Sequence, residues 1–117
     1  LKDIFAPQCI IVRNDSHYRT IEGLPLETEI VYGSLPQPLV IEEGQAKFKI
    51  DGLNGQKTGW FFDHRDNRTK LKRYVKQKRV LDVFSYLGGF AVQAALSGAS
   101  EVVCLDSSAA ALSLLLE

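Results

Sequence analysis

The sequence predicts an α/β fold, α+β overall, in which a small β-hairpin-rich part precedes the first strands and helices of an open parallel sheet. Three observations carry this expectation. The first half holds short β-branched runs separated by turn residues; VLDVF (80–84) and EVVCLD (101–106) are nearly continuous apolar runs; and a glycine turn with a helical stretch lies between those two. With 45% hydrophobic and 24% charged residues, the chain has an ordinary globular composition rather than that of a disordered tail.

CIIVRND (9–15) and ETEIVYGS (27–34) read as strands, each closed by turn residues. Around Gly44, LVIEE and QAKFKID read as a half-buried hairpin, with Ala46, Phe48 and Ile50 at period two. The stretch GQKTGWFFDHRDNR (55–68) is the least generic in the chain. If 57–63 is extended, Thr58, Trp60 and Phe62 share one face and Lys57, Gly59, Phe61 and Asp63 the other. Asp66 or Asn67 is then expected to cap a basic helix, with Leu71, Tyr74 and Val75 at helical spacing. VLDVF suits a strand covered on both faces, and SYLGGF bends the chain into a helix, FAVQAALS, closed by Gly98. After EVVCLD, Ser107 or Ser108 caps a last helix with Leu112, Leu115 and Leu116 on one face. Strand, turn, helix and strand make a βαβ unit, hence a parallel pair with a right-handed crossover. The expected organisation is a β-rich part over 1–64, a basic linking helix over 65–79, and the first βαβα part of a sheet fold over 80–117.

No run of eighteen apolar residues occurs and the N-terminus lacks the pattern of a signal peptide, so a cytoplasmic protein with no membrane partner is expected. The chain has no methionine and ends within an apolar helical pattern, which reads as a piece cut from a longer protein. Cys9 and Cys104 lie far apart in β-like runs, and His17 and His64 are isolated, so no metal ligands are expected. The net charge is zero but unevenly spread. Residues 65–79 carry eight basic side chains against one acidic, Asp66, a net of +7 that suits either a solvated face or an anionic partner.

In open α/β sheets, ligands bind beyond the carboxyl ends of the strands. Gly88 and Gly89 occupy the first strand-to-helix turn, where absent side chains let backbone N–H groups approach a polar ligand. Asp106 ends the next strand and can accept hydrogen bonds from the vicinal hydroxyls of an adenosine ribose. The turn reads S-Y-L-G-G-F and lacks the G-x-G-x-x-G needed to hold a pyrophosphate, which favours an adenosine ligand without phosphates over a dinucleotide. Two bland readings stand beside this one: the glycines as a tight turn with helix packing, and Asp106 as a helix cap.

GQKTGWFFDHRDNR, followed by VLDVFSYLGGFAVQAALSGASEVVCLDSS, resembles the class I S-adenosylmethionine-dependent methyltransferases typified by the bacterial 23S rRNA cytosine 5-methyltransferases. The resemblance covers roughly residues 39–117 and implies a Rossmann-like core preceded by a β-hairpin-rich domain. Its glycine-turn motif falls on Asp82, Phe84, Ser85, Tyr86, Gly88 and Gly89, and its ribose-binding acid on Asp106, with Ser107 beside it. Its segment along the cofactor crevice falls on Lys57, Thr58, Gly59, Phe61, Asp63, Arg65 and Arg68; where relatives commonly read D-Q-R, this chain has Asp63, His64 and Arg65. By pattern alone, Asp63 and Arg65 are a local ion pair, Arg68 a surface residue, and Trp60, Phe61 and Phe62 core.

The resemblance implies S-adenosylmethionine as cofactor and ribosomal RNA as partner, with cytosine carbon 5 as the target. That chemistry needs a cysteine thiolate, which the family carries further along its core; neither Cys9 nor Cys104 matches, so no catalytic residue is assigned. Two alternatives remain open, a non-catalytic nucleic-acid-binding module and another Rossmann-type enzyme using NAD. Exposed strand edges and a leucine-rich last helix predict homodimerisation or domain swapping through 80–117.

Overall fold

The computed structural model describes residues 1–116. Its strands form three two-stranded sheets. Strands β1 (Cys9–Asn14) and β2 (Glu27–Gly33) pair antiparallel, with a register shift between Ile10 and Ile11. Two short helices that the sequence patterns did not announce flank β1, α1 (Lys2–Phe5) and α2 (Tyr18–Ile21). One turn each is too short to leave a periodic signal.

Strands β3 (Leu39–Glu43) and β4 (Ala46–Ile50) form the expected hairpin, in register from Leu39 opposite Ile50 to Glu43 opposite Ala46. Gly44 opens its two-residue turn at φ +65°, a conformation that glycine adopts without a Cβ penalty. The predicted alternation holds on β4, where Ala46, Phe48 and Ile50 are buried while Lys47 is exposed. Those three residues pack with Trp60, Leu87 and Ala111 into one core cluster, Phe48 and Trp60 lying 4.4 Å apart between ring centroids. The hairpin thus shares its core with the later part of the chain.

Residues 57–63 are not an extended strand. They form turns and then a 3-10 turn, Phe62–His64, which leads into α3 (Arg65–Leu71). His64 holds the N-cap position without a side-chain hydrogen bond, so neither Asp66 nor Asn67 caps this helix. Nor does the helix reach residue 79. It ends at Leu71, and turns carry the chain onward, with Gln77 at φ +57° and its N–H donated to Gly98 O at 2.7 Å. Helical spacing at Leu71, Tyr74 and Val75 misled because only Val75 is buried, whereas Tyr74 is 74% exposed.

Strands β5 (Arg79–Val83) and β6 (Glu101–Leu105) are parallel, joined through α4 (Gly89–Leu96). The first starts and stops one residue earlier than expected, leaving Phe84 outside it at φ +62°. Gly98, at φ +87°, follows α4 as its sequence position predicts. Double coverage of these strands is not what the structure shows. One face carries Asp82, which accepts the N–H of Ala91 in α4 at 3.0 Å, while Leu81, Val83, Val103 and Leu105 on the other face are exposed. The last helix, α5 (Ala109–Leu115), is capped by Ser108, whose Oγ accepts from Ala111 N at 3.2 Å. Its packed residues are Ala111 and Leu114, with Leu115 over Gly88; Leu116, expected on that face, is exposed.

Candidate functional site

A cavity of about 370 Å³ opens beyond the carboxyl ends of β5 and β6, within the size range of small-molecule sites. Phe84, Ser85, Tyr86 and Gly89 line it from the first strand-to-helix turn, and Asp106 and Ser107 from the end of β6. Phe61 and Arg68 close it from the segment ahead of the core. These eight residues, far apart in the chain, are therefore brought together as the sequence reading anticipates.

Asp106 is fixed through both oxygens. Ser108 N donates to Oδ1 at 2.8 Å and Tyr86 N to Oδ2 at 2.7 Å, and these two backbone groups hold the carboxyl below the usual carboxylate range. Each carboxylate oxygen keeps a second lone pair, so the ionised group can still accept hydroxyl hydrogens from the cavity. The turn that donates to it is strained. Phe84, Tyr86 and Gly88 all have positive φ, at +62°, +50° and +68°, an alternation concentrated where the chain leaves the sheet. Gly88 precedes α4 as its N-cap and would place a Cβ 2.5 Å from Leu115 Cδ1; it shapes the turn from outside the cavity wall. Gly89 is on the wall, where a Cβ would lie 3.1 Å from Trp60.

The other residues singled out by resemblance stand back from the cavity. Lys57 pairs with Asp63 at 3.2 Å and sits 4.6 Å over the Phe61 ring, so that pair flanks the wall through Phe61. Thr58 and Gly59 belong to the preceding turn, and Asp82 lies beneath α4. The Asp82 carboxyl is pushed up, mainly by burial and then by the Asp106 charge, against the lowering effect of the Ala91 N–H. The expected Asp63–Arg65 pair is replaced by two others, Lys57–Asp63 and Arg65–Glu43, the latter at 3.8 Å.

Arg68 is neither a surface residue nor a free cation. It is 2% exposed and forks onto Glu43, Nε to Oε1 and Nη2 to Oε2, both at 2.7 Å, while Nη1 donates to Phe61 O at 3.1 Å. Its guanidinium lies 4.7 Å over the Trp60 ring. The paired guanidinium holds the Glu43 carboxyl below its usual range against the effect of burial. The Trp60 indole N–H adds to that lowering, although it falls outside hydrogen-bond geometry.

Several lining residues escaped the sequence reading: Gln56, Trp60, His64, Leu87 and Phe90. Trp60 is core and wall at once. His64 stacks on Phe61 at 5.5 Å and faces Phe90 at 6.1 Å, giving one side of the cavity an aromatic lining. Gln56 is held by its own N–H, donated to Tyr86 Oη at 3.1 Å, and a glutamine in a polar loop gives no advance signal of this. Among the described residues, no three His, Cys, Asp or Glu side chains come together as metal ligands, and no helix is long and apolar enough to cross a membrane.

A Rossmann-like crossover with an anchored carboxylate at the second strand end and a cavity beside it defines a protein of the adenosine-cofactor-binding class. Residues 10–114 match the family described as S-adenosylmethionine-dependent methyltransferase, and this chain belongs to that family. It is 46% identical over 108 residues to the ribosomal RNA large subunit methyltransferase I of Aeromonas salmonicida and 47% to that of Escherichia coli O139:H28, covering 91% of this chain and 27% of each relative. The chain thus spans about a quarter of the length of these relatives. Among solved structures, a Streptococcus mutans protein described as an S-adenosylmethionine-dependent methyltransferase superposes with a TM-score of 0.68 at 31% identity, over 76% of this chain and 24% of that one. The TYW2 protein of P. horikoshii, solved with MeSAdo, shares the fold at a TM-score of 0.64 and 20% identity, over 85% of this chain and 38% of that one.

Proposed function

We propose that this chain forms the S-adenosylmethionine-binding wall of a cytoplasmic RNA methyltransferase acting on 23S ribosomal RNA, with cytosine carbon 5 as the methylated atom. The observation that carries it is the Asp106 carboxylate, kept ionised by two backbone N–H groups at the mouth of a cavity of suitable size. The bound cofactor supplies an electrophilic methyl group. Asp106 takes the ribose hydroxyls, Ser107 and the Phe84–Tyr86 turn flank them, and Phe61 offers an aromatic face. The Lys57–Asp63 pair flanks that face, Thr58 and Gly59 shape the turn before it, Arg65 adds a contact to Glu43, and Asp82 and Gly88 set the start of α4. The similarity to ribosomal RNA large subunit methyltransferases supports the RNA class.

This reading gives the chain's own cysteines no catalytic part. Cys104 lies within β6 and burial pushes its thiol pKa up, the opposite of what a nucleophile needs.

For RNA, the cationic segment has the right chemistry. Lys70, Lys72, Arg73, Lys76 and Lys78 are exposed and have no ion pair among the described residues, and the exposed Tyr74 ring stands among them. Backbone bonds from Gln77 to Gly98 and from Ser100 to Lys78 fix this segment at the start of the parallel strands. The cavity is at their other end, roughly 13–15 Å away for strands of this length. Phosphate contacts made here would lie a few nucleotides from the reacting base.

Calorimetric titration with S-adenosylhomocysteine, with amide shifts followed by NMR, tests the proposal. Saturable binding with shifts at Gly88 and Asp106 is expected. RNA binding with a steep salt slope but no response to S-adenosylhomocysteine would instead establish a non-catalytic nucleic-acid module, and displacement by NADH would point to a dinucleotide enzyme.

The open face of β5 and β6, with Leu81, Val83, Val103 and Leu105 exposed, supports self-association of this chain. Light scattering at rising concentration is expected to show a mass above the monomer. A strictly monomeric mass at the highest concentration rules this out.

A further inference from the structure

The hairpin β3–β4 reaches the cavity through a single buried carboxylate that does not itself line it. Glu43 is the last residue of β3 and 8% exposed. Its side chain takes the fork of Arg68, and its backbone carbonyl accepts from Gln93 Nε2 of α4 at 2.9 Å, so one residue ties the hairpin to two helices. Three of the five Arg68 N–H groups are committed to this arrangement, Nε and Nη2 to Glu43 and Nη1 to Phe61 O. Its guanidinium lies near two lining rings, 4.7 Å from Trp60 and 5.9 Å from Phe90.

We infer that Glu43 and Arg68 act as one positioning unit for the ligand cavity: the hairpin carboxylate orients Arg68, which fixes Phe61 and the aromatic wall in their binding geometry. Through Arg68 the pair holds two lining residues, Phe61 by its carbonyl and Trp60 by its ring. A bidentate guanidinium–carboxylate fork suits this role, since it fixes the guanidinium plane as well as its distance. The inference rests on the proposed cofactor reading for its binding consequence, but its conformational consequence stands without any ligand.

Trp60 is the chain's one tryptophan and lies under Arg68, so its fluorescence reports this wall directly. The variants are Glu43→Gln and the double variant Glu43→Gln/Arg68→Gln, which removes both charges and keeps the fold where a lone unpaired charge endangers it. Each is first shown to be folded by circular dichroism. In the folded double variant, acrylamide quenching of Trp60 is expected to rise at least twofold with no ligand present, and S-adenosylhomocysteine affinity to fall about tenfold or more, roughly 1.4 kcal/mol. Unchanged Trp60 quenching in the folded double variant overturns the inference. So does wild-type affinity in that variant. Failure of the wild-type chain itself to bind S-adenosylhomocysteine sinks the proposed function instead, and the quenching measurement then decides the positioning role alone.

Discussion

Replacing Arg68 with methionine is expected to destabilise the fold by about 3–5 kcal/mol, because it removes both hydrogen bonds of the fork and leaves the buried Glu43 carboxylate with only the longer 3.8 Å contact to the exposed Arg65. Both side chains are almost fully covered, 3% and 8% exposed, so solvent screening relieves little of that penalty. The change in pH dependence is more diagnostic than the magnitude. In the wild-type chain Glu43 titrates below its ordinary value of 4.5, chiefly through its hydrogen bonds to Arg68, so its contribution is fully present above that value. It is lost as the pH falls through the lowered, folded-state value. In the variant the largest lowering cause is gone and burial outweighs the smaller lowering effects of Arg65 and Trp60, which raises the folded-state value. Stability is then lost as the pH rises from 4.5 through that raised value. Urea unfolding between pH 4 and 8, read as the difference between variant and wild type, isolates this group from Asp51, Asp63 and Asp106, whose lowered values persist in both. A difference that does not grow with pH would show that Glu43 is not buried against Arg68 as described.

Asp106→Asn is expected to weaken S-adenosylhomocysteine binding by about 10–100-fold, from the roughly 1.5–3 kcal/mol that a hydrogen bond to a charged group contributes. The exchange preserves shape but removes the charge and turns one oxygen into a donor, which then faces the N–H of Tyr86 or Ser108 instead of accepting it. The same exchange lowers the Asp82 pKa, since the Asp106 charge is one of the causes that raise it. Calorimetry measures the first effect and an NMR titration of the Asp82 carboxyl the second. Retained affinity together with a shifted Asp82 would mean that Asp106 organises the turn without touching the ligand.

Much of the site was legible because its residues sit where local rules put them. An apolar run, a glycine turn and an acid after the next run specify a strand end, a helix start and a carboxylate over the same crevice. The wall opposite was legible only as a resemblance, and its internal geometry was not. Period two on β3 places Glu43 on the inward face with Leu39 and Ile41, and that was the available signal of a buried carboxylate. Its partner could not be read, because Arg68 is one of eight basic residues in a cationic stretch and nothing in spacing distinguishes it from its exposed neighbours.

The sequence by itself determined the parallel β5–β6 unit, the turn between β5 and α4, the hairpin around Gly44 and the place of Asp106, all products of short-range patterning and turn chemistry. Tertiary structure decided the rest. The helix from Arg65 stops at Leu71 because the chain turns back to hydrogen-bond beside Gly98. Arg68 is buried because a carboxylate twenty-five positions earlier in the chain neutralises it. Helical spacing and net charge are local sums, whereas burial of an ion pair depends on which distant group arrives opposite. That information exists only once the hairpin has packed against the helices.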